Sequence, residues 1–287
     1  MFQTAESTVA APQALAIAGR GELVVERGSG RGAGRSVVRR AYATSPLRWL
    51  QPANHGRAAW VFASSYGGGL VDGDALALDI EVGPGASALV ATQASTKVYR
   101  SPRGTSVETR ARIAPGGLLV LMPDPVVCFA RSRYRQGQTF DVAENAGLVL
   151  VDWVTSGRRA AGERWAFEEY ASRSVVHLGR RLVVHESLAL RARDGDLAAR
   201  FGRFDVLALV AIVGRALGAE AASTVARLAD RVPTRHADQL LSAAPLGDAG
   251  CVIRIAGRSV EQVGRTVRGI LDFIPALLGD DPWNRKW

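Results

Sequence analysis

The chain has 287 residues, two cysteines and a formal net charge of +9. This length can bury a core without disulfides or metals, and two isolated cysteines indicate a reducing compartment, not a disulfide framework. The first residues lack the basic segment of a signal peptide, and the longest apolar run, Val206–Val213, is too short to span a membrane. We therefore expect a cytoplasmic protein without a membrane segment.

Arginine carries almost all of the positive charge, since Lys97 and Lys286 are the only lysines among 36 basic residues. Arginine pairs bidentately with carboxylates and phosphates. An acidic partner or a nucleic acid would explain the excess, and a coding bias toward arginine is the simpler explanation. The arginines are scattered and not interleaved with aromatic residues, which argues against a nucleic-acid groove.

Residues 1–18 are predicted to form a loose tail. Beyond them, short apolar or alternating runs recur about every ten residues between Gly, Pro and Asp turns. The predicted strands are 21–27, 35–43, 58–64, 76–82, 86–92, 105–113, 118–121, 126–129, 133–140, 148–155, 163–175 and 181–190. This rhythm predicts stacked or packed sheets and not βαβ units.

The glycine-rich segment 28–34 could be taken for a dinucleotide-binding fingerprint. That fingerprint opens a helix after a buried strand, whereas here a second strand-like run follows. The segment is therefore predicted to be a hairpin loop.

The last third of the sequence combines strand-like runs with segments of helical spacing. Val206–Val213 is predicted to be a strand buried on both faces, and the runs 240–246 and 251–255 are further strands. Helical spacing appears in 217–232 and again in 259–278, where Ser259 and Gln262 form a capping box. Pro275 is expected to kink or end the second helix.

Together these elements predict a single mainly β domain over residues 19–287. Its helical part covers about residues 217–278, and no linker divides the chain.

The sequence lacks the usual signatures of catalysis and stable metal binding. The four histidines lie far apart, and neither cysteine has a neighbouring ligand, so no stable metal site is predicted. There is no G-x-S-x-G elbow and no P-loop. The chain is therefore not expected to hydrolyse nucleotides itself.

Three carboxylates interrupt otherwise apolar or aromatic strand-like runs: Asp152, Glu163 and Glu186. A buried carboxylate is costly unless it is paired or hydrated. Either arginines pair with these acids, or the acids line a water-filled passage. Oxygen ligands with few imidazoles would hold a divalent cation weakly there.

The stretch Ser64–Ser101 carries the most specific pattern. It contains Tyr66-Gly-Gly-Gly-Leu-Val-Asp-Gly-Asp74, a Gly-Pro-Gly turn at 83–85, and Lys97-Val-Tyr-Arg-Ser101. With 121–127, 151–163 and Pro282-Trp-Asn284, this block resembles the urease accessory protein D family (UreD/UreH type). The resemblance covers about residues 18–287 and departs from the family pattern at Tyr66 and Trp153.

The resemblance implies a β-rich, partly β-helical fold with two C-terminal helices. It also implies that the protein is not an enzyme but a scaffold for urease maturation. This scaffold binds apo-urease and accessory protein F, while the GTPase G joins through F. Nickel would pass through transiently, with no permanently bound cofactor. The residues that would line the nickel channel are Asp74, Thr92, Ser95, Thr96, Lys97, Asp152 and Glu163. Supporting residues would be Asp72, Tyr99, Arg100, Arg158 and Arg159.

Partner contacts are expected from the C-terminal part of the chain. The apolar helix stripe supplies Ile270 and Ile274. The terminal tryptophans Trp283 and Trp287 either dock on the parent domain or anchor a partner.

Two other functions remain open from the sequence alone. The excess of arginine would suit a β-rich module that binds a polyanion with strong salt dependence. A glycan-active enzyme could use Asp72 and Asp74 as paired acids, although the surrounding glycines suit a turn as well as a cleft.

Overall fold

The computed structural model describes residues 19–29, 33–229, 234 and 236–285. The strands in this part of the chain are β1 (Gly19–Arg27), β2 (Ser36–Ala43), β3 (Leu47–Leu50), β4 (Ala59–Ser65), β5 (Ala75–Val82), β6 (Ser87–Thr92), β7 (Thr96–Val98), β8 (Thr105–Ile113), β9 (Leu118–Leu121), β10 (Val126–Cys128), β11 (Arg133–Val142), β12 (Gly147–Thr155), β13 (Glu169–Leu178), β14 (Arg181–Arg191), β15 (Val206–Val213), β16 (Gln239–Pro245) and β17 (Gly250–Gly257). The helices are α1 (Leu197–Phe201), α2 (Gly218–Ala229), α3 (Val260–Ile270) and α4 (Ile274–Leu278). The predicted loose tail, residues 1–18, lies outside the described residues, as does Trp287.

The strands form two sheets. The first has the order β14-β13-β11-β8-β5-β1-β2, and the second has the order β16-β17-β15-β12-β9-β6-β4-β3, with β10 joining β12 to β7. The inner strands of each sheet are parallel to one another. The outer strands pair antiparallel to them.

The chain winds between the two sheets. It passes from β5 to β6, from β8 to β9 and from β11 to β12, crossing each time from the first sheet to the second. As a result, Leu76, Val107 and Gln136 lie side by side in the first sheet. The crossing turns also stack, since the Gly85 amide donates to the Pro115 carbonyl at 3.0 Å. The prediction of a mainly β, partly β-helical fold is confirmed.

Alternation along the strands creates two apolar layers. Ile80, Phe140 and Leu150 are buried between the sheets. Val149, next to Leu150, faces the opposite side and packs in a second layer with Val267 of α3. The second sheet is therefore covered on both faces, which explains why β15 reads as a continuous apolar run.

Helix α3 begins where the capping box predicts. The Ser259 hydroxyl accepts a hydrogen bond from the Gln262 amide at 3.2 Å. The helix ends at Ile270, however, and Pro275 lies in the first turn of α4, where its missing N–H costs no hydrogen bond. The predicted single helix over 259–278 is therefore two helices. Among the described residues, no helix has the length and hydropathy needed to cross a bilayer.

The apolar residues of α3 and α4 pack inside the protein. Ile270 is 3% exposed and Ile274 is fully buried, and both pack in the layer on the outer side of the second sheet. The prediction that these two side chains contact a partner is therefore wrong, because the chain's own sheet already covers them. Trp283 packs partly buried against the same layer, with the Arg268 guanidinium 5.5 Å from its ring centroid.

The predicted strand over 163–175 begins six residues late, at Glu169. Trp165 has a φ of 54°, which a strand cannot accommodate, and its side chain is buried. Residues 163–168 therefore form an irregular segment that places Trp165 in a core of aromatic residues.

Candidate functional site

A cavity of about 240 Å³ lies between the two sheets, beyond the C-terminal end of β6. We call it the first cavity. Apolar strand residues such as Leu78 and Val90 form part of its wall. Its polar lining includes Ser64, Ser65, Thr92, Gln93, Ser95, Thr96, Thr109, Asp124, Tyr134, Gln136, Gln138 and Asp152. Hydroxyl, amide and carboxyl oxygens thus line it, with no histidine or cysteine among the described residues that border it.

A second cavity, of about 410 Å³, lies further along the sandwich between β13 and β14 on one side and β15, β16 and β17 on the other. Leu188, Leu207 and Leu241 make most of its wall apolar. Asp152 and Trp153 of β12 border both cavities. The two spaces therefore adjoin at this point of β12, where these two side chains belong to the wall of each.

Asp152 faces the first sheet from β12. The Ser172 hydroxyl donates a hydrogen bond of 2.6 Å to its carboxylate, and Gln136 also interacts with it. Burial raises the pKa of the Asp152 carboxyl above its usual value, and these two partners offset that effect only in part. No arginine of the described residues is among its partners, so Asp152 is the inward carboxylate that lacks an ion pair.

Thr92 and Asp124 close one side of the first cavity together. The Asp124 amide donates to the Thr92 hydroxyl at 2.7 Å, and that hydroxyl donates to the Asp124 carboxylate at 3.3 Å. Asp124 is 6% exposed. Asp124 is not among the residues predicted from the sequence. Its position between Pro123 and Pro125 was a usable signal, because flanking prolines leave a residue few conformations.

Glu163 lies away from both cavities. Its carboxylate accepts hydrogen bonds from the Arg158 guanidinium, with the Arg158 Nε at 3.0 Å, and from the Ala130 amide at 3.1 Å. The Arg158 guanidinium also lies 4.1 Å from the centroid of the Phe129 ring. The prediction that Glu163 lines the channel is therefore corrected, because an arginine pairs with it outside the cavities.

Two arginines next to Glu163 are held by another acid. Arg159 and Arg164 both bind the buried Asp205 carboxylate, with the Arg164 Nε at 2.6 Å. Arg158 and Arg159 thus each pair with an acid, Glu163 and Asp205 respectively, and neither lines the first or the second cavity.

The segment Asp72-Gly73-Asp74 forms a turn. The Asp74 carboxylate accepts a hydrogen bond from the Val71 amide at 2.8 Å. Asp72 binds the Arg103 side chain at 2.9 Å, and this hydrogen bond lowers the pKa of Asp72. The first cavity is not lined by Asp72 or Asp74. The channel prediction is corrected for Asp74, because its carboxylate closes the turn.

Lys97, Tyr99 and Arg100 also lie outside the cavities. Lys97 is exposed, on the face of β7 opposite to Thr96, and Arg100 is exposed as well. Tyr99 packs edge-on against Phe129, with ring centroids 5.1 Å apart. Of the predicted channel residues, the structure brings together Thr92, Ser95, Thr96 and Asp152, whereas Lys97 points away.

The pair of Glu163 and Arg158 should make stability depend on acid pH. Arg158 donates to the Glu163 carboxylate and lowers the pKa of that group below its ordinary value of 4.5. The stabilisation is therefore complete above that value and is lost as the pH falls through the lowered pKa. Because Arg158 is half exposed, we expect Glu163→Gln to cost about 1 kcal/mol at pH 7.

Denaturant unfolding between pH 3 and pH 7 measures this effect. The difference between Glu163→Gln and the parent chain should vanish at the acid end. Glu81→Gln, at an exposed carboxylate 3.8 Å from Arg112, serves as the control and should change little. A cost for Glu163→Gln that does not vary with pH would contradict the assignment.

The described residues contain no group of three or more His, Cys, Asp or Glu side chains that could hold a metal ion. Among the described residues that line the first cavity, Asp124 and Asp152 carry the carboxylates, and the other polar groups are uncharged. Oxygen ligands of this kind bind borderline metals more weakly than imidazole or thiolate does.

Comparison with known proteins places the chain in a family. The family described as UreD urease accessory protein matches residues 18–287. The chain belongs to the UreD family. The resemblance found in the sequence is thereby confirmed, and membership supports a role in urease maturation.

Individual relatives agree with this assignment. A urease accessory protein UreD of Sorangium cellulosum is 53% identical over 272 residues, covering 94% of this chain and 85% of the relative. A UreD of Anaeromyxobacter is 42% identical, with 88% and 85% covered. A urease accessory protein D of Arabidopsis thaliana is 32% identical, with 92% and 99% covered.

Proposed function

We propose that this chain is a non-catalytic urease maturation factor of the cytoplasm. In this role it binds apo-urease and accessory protein F, and it conveys nickel from the accessory GTPase G to the urease active site. Nickel is cargo here, in transit and not retained. The accessory role named for the relatives supports the absence of catalysis.

The observation that carries the proposal is the meeting of two cavities at Asp152. A passage for a cation needs polar groups that contact the ion without holding it. Thr92, Ser95, Thr96 and Asp152 offer hydroxyl and carboxyl oxygens, and no arginine in the described part of the chain pairs with Asp152. Weak oxygen ligands favour release of the ion over storage.

The two buried cysteines take no part in this passage. Burial raises the pKa of the Cys128 thiol to about 12 and that of the Cys251 thiol to about 11. Both thiols therefore stay protonated near neutral pH, and protonated thiols are poor ligands for nickel. Nickel transit is thus left to the oxygen groups.

Coexpression with urease tests the proposal. Cells that express the urease subunits and the other accessory proteins should produce active, nickel-loaded urease only when this chain is also present. A tagged chain should copurify with apo-urease and accessory protein F, and with the GTPase only when F is present. Equal urease activity with and without the chain would refute the proposed function.

A further inference from the structure

Another polar pocket, separate from the first and second cavities, lies at the opposite end of the parallel strands from the first cavity and has a volume of about 330 Å³. Ser87, at the start of β6, borders it, whereas Thr92, at the end of the same strand, borders the first cavity. We call it the arginine pocket. Its lining residues are Arg27, Gly34, Arg35, Ser36, Arg57, Gly85, Ser87, Gly116, Leu118 and Leu277.

The strands β1 and β2 flank the glycine-rich segment 28–34, of which residues 30–32 lie outside the described part of the chain. The two strands form a hairpin, because they pair antiparallel and the Gly28 amide donates to the Arg35 carbonyl at 2.7 Å. The hairpin brings Arg27, on one strand, and Arg35, just before the other, to the same pocket.

Arg27, Arg35 and Arg57 line the arginine pocket, and none of them has a carboxylate partner among the described residues. In the part of the chain that the structure describes, no Asp or Glu lines the pocket, and none lies within ion-pair distance of Arg27, Arg35 or Arg57. By contrast, Arg254, which lines the second cavity, pairs with Glu186. Three like charges in one pocket repel each other, and an anion would relieve that repulsion.

The guanidinium groups are positioned by neutral oxygens. Arg57 donates through Nε to the Leu277 carbonyl at 3.1 Å and through Nη2 to the Ala276 carbonyl at 2.8 Å, both near the end of α4. Arg35 donates through Nη2 to the Asn54 carbonyl at 2.8 Å. These bonds fix the side chains and leave further N–H groups of each fork available for a ligand.

The stacked turns make room for Arg27, the third arginine of the pocket. Gly85 has a φ of 61°, and a Cβ at this position would lie 3.3 Å from the Arg27 Nη1. A glycine therefore serves both the left-handed turn and the space that Arg27 occupies. Beside it, the Ser36 hydroxyl accepts a hydrogen bond from the Ser87 amide at 2.8 Å.

A second arginine cluster on the first sheet provides the contrast. Arg133, Arg135, Arg191 and Arg193 surround a smaller pocket, but Glu168 and Glu169 also line it. The Glu169 carboxylate accepts from Arg135 at 3.0 Å and from Arg191 at 3.1 Å. Each arginine of that cluster thus lies within ion-pair distance of a carboxylate, whereas in the described part of the chain no arginine of the arginine pocket does.

We propose that the arginine pocket binds a phosphoryl dianion, either free phosphate or the phosphate of a small monoester. Arginine forks match the oxygen geometry of such a group and bind it bidentately. Serine hydroxyls at the same wall can donate to the remaining oxygens. This site is separate from the cavities around Asp152 and does not depend on nickel transit.

Calorimetric titration of the full chain with inorganic phosphate and with adenosine 5′-monophosphate tests this proposal at constant ionic strength in chloride. We expect saturable binding that Arg27→Gln/Arg35→Gln weakens by about tenfold or more, since each charged hydrogen bond contributes substantially. The control Arg133→Gln/Arg193→Gln removes the same charge from the second arginine cluster and should leave the affinity nearly unchanged.

The two ligands distinguish the sources of the phosphoryl group. Similar affinities indicate a site for the phosphate group alone, and tighter binding of the monophosphate indicates a site for an ester; both results support the proposal. Absence of saturable binding overturns it, and so does an equal loss in both double variants. Thermal unfolding of each variant establishes that it is folded before titration.

Discussion

Urease matured in the presence of the Asp152→Leu variant should contain little nickel and show little activity. Leucine adds apolar volume at the point that the two cavities share, and it removes the carboxyl oxygens that Ser172 and Gln136 contact. We expect activation to fall by about tenfold or more, since the side chain offers a cation neither space nor a ligand. Coexpression with urease, followed by measurement of nickel content and specific activity, provides the test.

The variant should still fold and assemble. A buried carboxyl group without a cationic partner stabilises little, so its replacement by an apolar side chain is not expected to unfold the chain. Copurification of the variant with apo-urease would establish that assembly is intact. Asp141→Leu, at a carboxylate 60% exposed outside the cavities, is the matched control and should activate urease normally.

A conservative variant distinguishes the role of the Asp152 carboxyl group from that of the open space beside it. Asp152→Asn keeps the size of the side chain, so reduced activation by this variant would indicate that transit needs the carboxyl group itself. Normal activation by Asp152→Asn together with loss in Asp152→Leu would indicate that open space is sufficient. Normal nickel content with Asp152→Leu would exclude Asp152 from the passage.

Gly250→Ala should cost at least about 3 kcal/mol in the free energy of unfolding. Gly250 begins β17 with a φ of 134° and a ψ of −143°, a conformation essentially restricted to glycine. A Cβ there would lie 2.0 Å from the Ile212 carbonyl oxygen of the neighbouring strand. The added methyl group would therefore force β15 and β17 apart at the start of their pairing.

Gly269→Ala is the matched control for this substitution. Gly269 lies in α3, and a Cβ would meet no atom within 4 Å. Alanine should stabilise this helix by about 0.5 kcal/mol or more, because glycine loses more backbone entropy on folding. Urea unfolding of both variants and the parent chain measures the two effects, and an equal change in both would contradict the steric explanation.

The alternation of side chains predicted the strands but not their partners. Leu76, Leu78 and Ile80 share a face, as expected, and β5 is a strand. The pattern could not say that its neighbours are the parallel strands β1 and β8, because a half-buried strand reads the same in either orientation. The Gly-Pro-Gly turn after Val82 was recognised as a turn, and only the structure reveals that it leads to the other sheet.

Only part of the candidate site could be predicted from the sequence. Asp152, Glu163 and Glu186 each interrupt apolar or aromatic sequence, so the sequence marks all three. Glu186 accepts from the Arg254 Nε at 3.1 Å across 68 residues, and Glu163 binds the nearby Arg158. Which carboxylate an arginine neutralises depends on long-range packing, and a single sequence does not contain that information.

The winding of the chain has a consequence for how the protein folds. In the second sheet, β6, β9 and β12 each pair with the strand laid down a single turn earlier, so each of these steps closes a loop of similar, moderate length. A chain of this kind can add turns in order as it leaves the ribosome, in the manner of a repeat protein. In the first sheet, the antiparallel strand β2 lies beside the first parallel strand and β14 beside the last, so the parallel stack ends on both sides.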